Sequence, residues 1–350
     1  MSSRNVRLDS VRNLLRKYHV KTLVLTNPAD QFFVTGFPFY AGEAVFILHP
    51  KGMVGIMRSL YVEPFRRFAP KVEAIACDED RLGKALAYVA EKKLPCPGFD
   101  ADKEAYIAGK RMVEAGFAEL PSLVSSLRQT KDASELKLMR QSNRIAYLAY
   151  EYVKPRVRTG MMECEVASML EQFMRARGAS ATSFDTIVAF GENAANPHHV
   201  TGTRKLKKED AVLMDFGCVY GGYCSDITRS WWHGNREPEE YKKIWKLVDN
   251  ARRTGINAVR IGTATRNVDA QAREVIARAG YGEYFTHRTG HGVGIEIHEE
   301  PCNSADSKAI LREGNVVTVE PGIYLPGKFG VRLEDTVVVT KTKANILTRK

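Results

Sequence analysis

The sequence predicts an α/β layer domain followed by a larger α+β domain, and three observations carry that expectation. The chain has 350 residues, 44% of them hydrophobic and 27% charged, which is enough for two separate cores at roughly 100–200 residues per domain. Residues 1–120 alternate helical patterns with short β-rich runs, as a layered α/β unit does. Beyond them, long amphipathic helices are interleaved with apolar, β-branched runs that stop at Gly or Pro, which reads as α+β with a mostly antiparallel sheet. The boundary is placed near residue 125, so the domains span residues 1–125 and 126–350.

In the first domain Lys21–Leu25, Ala44–Leu48 and Met53–Met57 read as strands and Arg81–Lys92 as a helix. After Leu120-Pro121-Ser122 the composition shifts, and Asp132-Ala133-Ser134-Glu135 forms a capping-box start for a long helix running to about Val153, before Pro155. Glu165–Arg177 reads as a helix stopped by Gly178. Glu239–Arg260 places Tyr241, Ile244, Trp245 and Val248 on one face, and Val268–Ala279 runs from Asn267 to Gly280. The strand candidates between them are Thr186–Phe190, Ala211–Phe216, Gly222–Thr228, Asn315–Val319 and Val331–Thr340.

Several function classes are excluded early. The net charge is +11, but its densest spots, Arg66-Arg67 and Arg204-Lys205-Leu206-Lys207-Lys208, carry no aromatic-rich nucleic-acid motif, so no nucleic acid is expected as a partner. The six cysteines lack any Cys-x-x-Cys spacing, which fits reduced thiols and a cytoplasmic location. The N-terminal stretch has no apolar signal core, and no run reaches the roughly 18 apolar residues of a membrane span. No membrane contact is expected.

The informative feature is four acids set inside apolar strands. Asp215 lies in AVLMDFG and Asp226 in GYCSDIT. With Tyr220-Gly221 as a two-residue hairpin loop, Asp215 falls directly opposite Asp226, with their Cβ atoms about 5 Å apart on one face. Glu320, in VVTVEPG, and Glu334, in VRLED, are brought together in the same way by a short loop centred on Gly327. At 4 Å and an effective dielectric of 20, each such pair repels by ~4 kcal/mol before the cost of burial. Cations would remove that cost. The stretch THRTGHGVGIEIHEEP, residues 286–301, holds three of the chain's eight histidines, and Asn196-Pro197-His198-His199 precedes the first acid strand. Four carboxylates and one imidazole suit two divalent ions of the Mn²⁺ or Co²⁺ kind better than thiolate-rich structural zinc.

These residues resemble the metal-binding signature of the pita-bread metallopeptidases: Asp215, Asp226, His291, Glu320 and Glu334, in the contexts MDFG, YCSDITR, HRTGHGVGIEIHEEP, VEPGIY and GVRLED. The fit is to the proline-specific branch, Xaa-Pro dipeptidase (prolidase) and Xaa-Pro aminopeptidase (aminopeptidase P). The stretch before residue 125, with Asn27-Pro28 and Phe33-Val34-Thr35-Gly36-Phe37, is similar to the creatinase-type N-terminal domain. The resemblance implies two divalent ions, Mn²⁺ first, with Co²⁺ or Zn²⁺ as alternatives. Asp215 would chelate one ion, Asp226 and Glu334 would bridge both, and His291 with Glu320 would complete the second. It further implies that His198 and His298 contact the substrate or the developing oxyanion, that Glu320 accepts a proton, and that the substrate is a short proline-containing peptide. Arg332 either orients a carboxylate of the substrate or forms a salt bridge to a cluster acid. Tyr324 either lines the pocket or packs in the core. His287 belongs to the same stretch and is counted with the substrate residues. Tyr40, in the aromatic loop Phe37-Pro38-Phe39-Tyr40-Ala41-Gly42, is assigned to substrate contact across a homodimer, and its bland alternative is a loop packed on its own domain.

Methionine aminopeptidase shares the ligands, but the N-terminal domain and the His298-Glu299-Glu300-Pro301 ending count against it. Creatinase lacks the metal set. A non-catalytic pita-bread binding protein would have lost ligands, and all five are present. Both proline-specific activities share the five ligands and flanking histidines, so assay alone separates dipeptidase from aminopeptidase.

Overall fold

The computed structural model describes residues 3–349, and the chain divides into two units, Met1–Arg128 and Gln129–Lys350. In the first unit six strands form one sheet in the order Glu73–Ala76, Gly52–Met57, Ala44–His49, Thr22–Leu25, Pro97–Asp100, Ala118–Leu120. Thr22–Leu25 and Gly52–Met57 both run antiparallel to Ala44–His49, and the outer neighbours pair in parallel. Val24, Ile47 and Ile56 pack from the sheet against Ala85 and Val89 of helix Arg81–Glu91. The strands that composition does not reveal, Glu73–Ala76, Pro97–Asp100 and Ala118–Leu120, are three or four residues long and lie toward the sheet's edges. So short an element carries too few alternating positions to register as a pattern. In the aromatic loop Phe37 and Phe39 pack against Phe65, at ring-centroid distances of 5.5 and 5.8 Å, whereas Tyr40 is 80% exposed.

In the second unit the helices are Ala133–Val153, Glu163–Arg175, Glu239–Ala258 and Thr265–Arg278. Asp132 caps the first of them through the Ser134 and Glu135 amides, and Glu135 returns a bond to the Asp132 amide, completing the capping box. Every described strand pairing in this unit is antiparallel. One sheet runs Ile227–His233, Asp210–Phe216, Ile187–Phe190; another runs Glu299–Asn303, Gly290–Gly292, Val316–Val319, Asp335–Val339, Ala344–Ile346. No helix among the described residues is long and apolar enough to cross a membrane.

The first acid hairpin differs from its expected register. The turn lies at Gly221-Gly222, both at positive φ (58° and 83°), so Tyr220 pairs with Tyr223 and Asp215 faces Thr228 rather than Asp226. Two adjacent glycines permit the two positive φ values that a type I′ turn needs, whereas a turn at Tyr220-Gly221 would force tyrosine into that region. Asp226 lies two residues before Thr228, on the same face, and is therefore the diagonal neighbour of Asp215. The second hairpin keeps its expected centre at Gly327: Gly322 pairs with Arg332 and Val319 with Asp335, which sets Glu320 opposite Glu334.

Three of the four acids occupy interruptions in the ladders. The run expected as one strand over 222–228 breaks at Ser225-Asp226, the run over 331–340 breaks at Leu333-Glu334, and Val316–Val319 stops just before Glu320. At the breaks the amides turn to other strands, Glu320 N to Thr289 O at 2.8 Å and Glu334 N to Thr228 O at 3.1 Å. Gly217 makes the first break possible, because a Cβ there would lie 1.8 Å from the Ser225 carbonyl oxygen. Gly217→Ala is therefore expected to cost about 3 kcal/mol or more in stability, read as a shifted denaturation midpoint at unchanged slope. A wild-type midpoint would show that the strands separate freely there.

Candidate metal centre

The two hairpins and the histidine strand converge on one cluster. Asp215, Asp226 and Glu334 each offer a carboxylate oxygen within 4.8 Å of the others. His291 Nε2 lies 3.5 Å from Asp226 Oδ2 and 3.4 Å from Glu320 Oε1. Asp226 thus belongs to both groups. Asp226, His291 and Glu334 are buried, and the side chains of Asp215 and Glu320 are only 13% and 16% exposed.

This arrangement is unfavourable without a counter-charge. Burial, followed by the neighbouring carboxylates, pushes Asp226 and Glu334 well above the ordinary carboxylate range, and burial also raises Glu320. Asp215 Oδ1 and Glu334 Oε1 are buried without a hydrogen-bonding partner. His291 Nδ1 lies 2.9 Å from the Gly292 carbonyl, which can only accept, so this nitrogen carries a proton and Nε2 is the ring atom turned to the carboxylates. Carboxylate oxygens without a hydrogen-bonding partner and an imidazole nitrogen turned to one volume form a donor set fitted to hard or borderline divalent cations.

Supporting side chains hold the donors. Thr228 Oγ1 donates to Glu334 Oε2 at 2.8 Å, Thr318 Oγ1 donates to Glu320 Oε1 at 3.0 Å, and Thr336 Oγ1 donates to the Asp226 carbonyl at 2.9 Å. These threonines escaped the sequence reading, although a signal exists. Each stands two residues from a cluster acid, in Asp226-x-Thr228, Thr318-x-Glu320 and Glu334-x-Thr336, which on a strand is the same face.

Arg332 forms the salt bridge to a cluster acid. It is buried, with Nη2 on Asp215 Oδ2 at 2.6 Å, Nη1 on Tyr324 Oη at 2.8 Å and on the Pro197 carbonyl at 3.2 Å, and Nε on Thr228 Oγ1 at 3.2 Å. The salt bridge orients Asp215, and the other contacts fix the guanidinium against Tyr324, Pro197 and Thr228. Tyr324 is 4% exposed, and burial pushes its hydroxyl up to about 12. His287 Nδ1 donates to the Arg288 carbonyl, so Nε2 accepts from Tyr324 Oη at 2.8 Å; burial, then Arg332, lowers this imidazole to about 3 and keeps it neutral.

His198 and His298 are both exposed, and His198 lies near enough to His298 for its charge to act on that ring. The His298 ring lies 4.4 Å from that of His291, and desolvation, with the charges of His291 and Arg288, lowers it to about 4. His199, the neighbour of His198, is not a loose surface histidine, because Nε2 bonds Glu163 Oε2 at 2.9 Å. Glu299 is buried against Lys131 at 2.9 Å and accepts the Ile295 and Glu296 amides, so it shapes the loop that ends in His298. Tyr40 belongs to the other unit.

The chain matches Metallopeptidase family M24 over residues 137–341 and the Creatinase/Prolidase N-terminal domain over residues 7–129. A protein named Xaa-Pro dipeptidase, from Pyrococcus horikoshii, is 32% identical over 100% of this chain and 98% of its own length. Among solved structures, an Xaa-Pro dipeptidase from Bacillus anthracis superposes with TM-score 0.93 and 35% identity, covering 99% of this chain and 98% of that one. An X-Pro aminopeptidase from Thermotoga maritima MSB8 gives TM-score 0.87 at 30% identity, covering 97% and 98%.

Proposed function

The chain belongs to Metallopeptidase family M24, and from that premise we propose that it hydrolyses the bond between an N-terminal residue and proline in dipeptides or short peptides. The observation that carries the reading is the buried five-donor cluster with two unpaired carboxylate oxygens. Asp215, Asp226, His291, Glu320 and Glu334 are assigned as the ligands of two divalent ions, Mn²⁺ first. Asp226, which stands in both donor groups, would serve both ions, and Glu334 would be held with it. When bound, the ions supply Lewis acidity that polarises a carbonyl and lowers the pKa of water.

The remaining steps fall to the chain's own groups. Glu320, held by Thr318, takes the proton of the attacking water. His198 and His298, both exposed, are assigned to donate to the oxygen that gains charge as the carbonyl is attacked. His287, Tyr324 and Arg332 are assigned to substrate contact. Tyr40 is assigned to substrate contact across a homodimer, and the protein to the cytoplasm.

The test compares an Xaa-Pro dipeptide with an Xaa-Pro-Xaa tripeptide, each with added Mn²⁺, Co²⁺ or Zn²⁺. Metal-dependent cleavage of either supports the reading, and the ratio of kcat/KM values distinguishes dipeptidase from aminopeptidase. Cleavage of neither, beside hydrolysis of peptides lacking proline, overturns it.

A further inference from the structure

We propose that Glu163 is a positioning residue that fixes the segment carrying His198, a proposal resting on the assignment of His198 to the developing oxyanion. Glu163 opens helix Glu163–Arg175, whose buried face is otherwise Val166, Ala167, Leu170, Phe173 and Met174. Its side chain is 0% exposed. A carboxylate so placed is unfavourable by several kcal/mol unless its lone pairs are satisfied. They are satisfied by four donors: Oε1 accepts from Phe190 N at 2.9 Å and Asn193 Nδ2 at 2.8 Å, and Oε2 accepts from His199 Nε2 at 2.9 Å and Gly202 N at 3.1 Å.

All four donors belong to residues 190–202, the segment that carries His198. After strand Ile187–Phe190 that segment has only the short 3₁₀ turn Gly191–Ala195 as regular structure. A segment with so little ladder needs other anchors to hold one conformation. Glu163 collects amides and side chains from both ends of it onto a single carboxylate. Its backbone adds to the tie, with Glu163 N on Arg204 O at 3.1 Å and Cys164 N on Gly202 O at 3.0 Å.

The opposite flank is held from the metal side. Arg332 Nη1 donates to the Pro197 carbonyl while Nη2 holds Asp215. Ala194 O lies so close to Gly330 that a Cβ there would meet it at 1.9 Å. His198 therefore sits between two anchored neighbours, Pro197 tied to Arg332 and His199 tied to Glu163, with its own side chain exposed. Nothing in this scheme requires Glu163 to touch substrate or metal. It acts through where it leaves the neighbouring imidazole, and misplacement of about 1 Å is enough to cost up to ~10² in rate.

The experiment is a double-mutant cycle on the manganese-loaded full chain with an Xaa-Pro dipeptide. Glu163→Gln keeps the size but replaces an acceptor by a donor among donors. It is expected to lower kcat roughly 10-fold with KM changed less than about 2-fold, while Mn²⁺ titration by calorimetry returns the wild-type stoichiometry and Kd. His198→Ala is expected to lower kcat by roughly 10²–10³. In that background Glu163→Gln should change kcat by less than about 2-fold, because the group it positions is gone. Where Glu163→Gln does not fold, His199→Ala replaces it in the same cycle, since it removes one of the four bonds. An equal loss in both backgrounds, or weakened Mn²⁺ binding, overturns the proposal and returns Glu163 to a purely structural role. An unchanged kcat in His198→Ala overturns the oxyanion assignment itself, and this proposal with it.

Discussion

Removal of divalent ions by a chelator is expected to abolish hydrolysis, to be reversed by Mn²⁺ or Co²⁺, and to lower the Tm. The reason is the cluster's electrostatics. In the metal-free fold Asp226, Glu334 and Glu320 hold protons more tightly than in the unfolded chain, because burial and carboxylate neighbours disfavour the charged forms. A raised folded-state pKa contributes stability that is present below the ordinary value, 3.8 for aspartate and 4.5 for glutamate, and is lost as pH rises through the folded value. The metal-free protein should therefore melt progressively lower as pH rises above the ordinary carboxylate values. Divalent ions require the ionised carboxylates, so their effect has the opposite sign and grows over the same window. At 1,000 times Kd the stabilisation is about 4 kcal/mol, equivalent to roughly 10 °C for a unit of this size. Differential scanning with and without Mn²⁺ at several pH values reads the effect. Coincident melting curves across the window would mean that the acids are not a buried, ion-demanding cluster.

Asp226→Asn is expected to be the most damaging single substitution in the centre. Asp226 is common to both donor groups, its carbonyl is fixed by Thr336 and its carboxylate faces His291 Nε2. Loss of its charge should weaken ion binding beyond the 10–100-fold typical of outer-sphere changes. A fall in kcat/KM of roughly 10³, or about 4 kcal/mol, is expected at fixed metal concentration. Glu299→Gln separates chemistry from architecture. It removes the partner of a buried ammonium, Lys131, with both side chains at most 3% exposed, so the expected loss is about 3–5 kcal/mol of stability with the metal stoichiometry retained. Metal content and denaturation midpoint measured on both variants distinguish the two effects. Equal metal loss in the two would mean that Glu299 belongs to the coordination sphere.

Much of the fold is legible in local pattern. The capping box at Asp132 and Glu135 marks the start of the long helix, the apolar face of Tyr241, Ile244 and Val248 marks another, and Gly327 centres the second acid hairpin. These signals are read over a few neighbouring residues and depend on backbone geometry that any fold must respect. The acid pairs were visible for the same reason, since a charge inside an apolar run is conspicuous without knowledge of its partner.

The features that went unread depend on residues far apart in the chain. The salt bridge of Arg332 to Asp215 depends on the meeting of strands 117 residues apart. Lys131 and Glu299 are 168 residues apart, and neither stands out from the charged residues around it. Glu163 looks like an ordinary first-turn helix acid until the segment carrying His198 folds over it. The sequence by itself determined which side chains are available and which local elements form, because strand alternation, capping and turn chemistry act between near neighbours. Only the tertiary structure decided which of those side chains meet. The partners of a buried charge are chosen by desolvation, which requires every lone pair and proton to find a counterpart wherever the chain brings one.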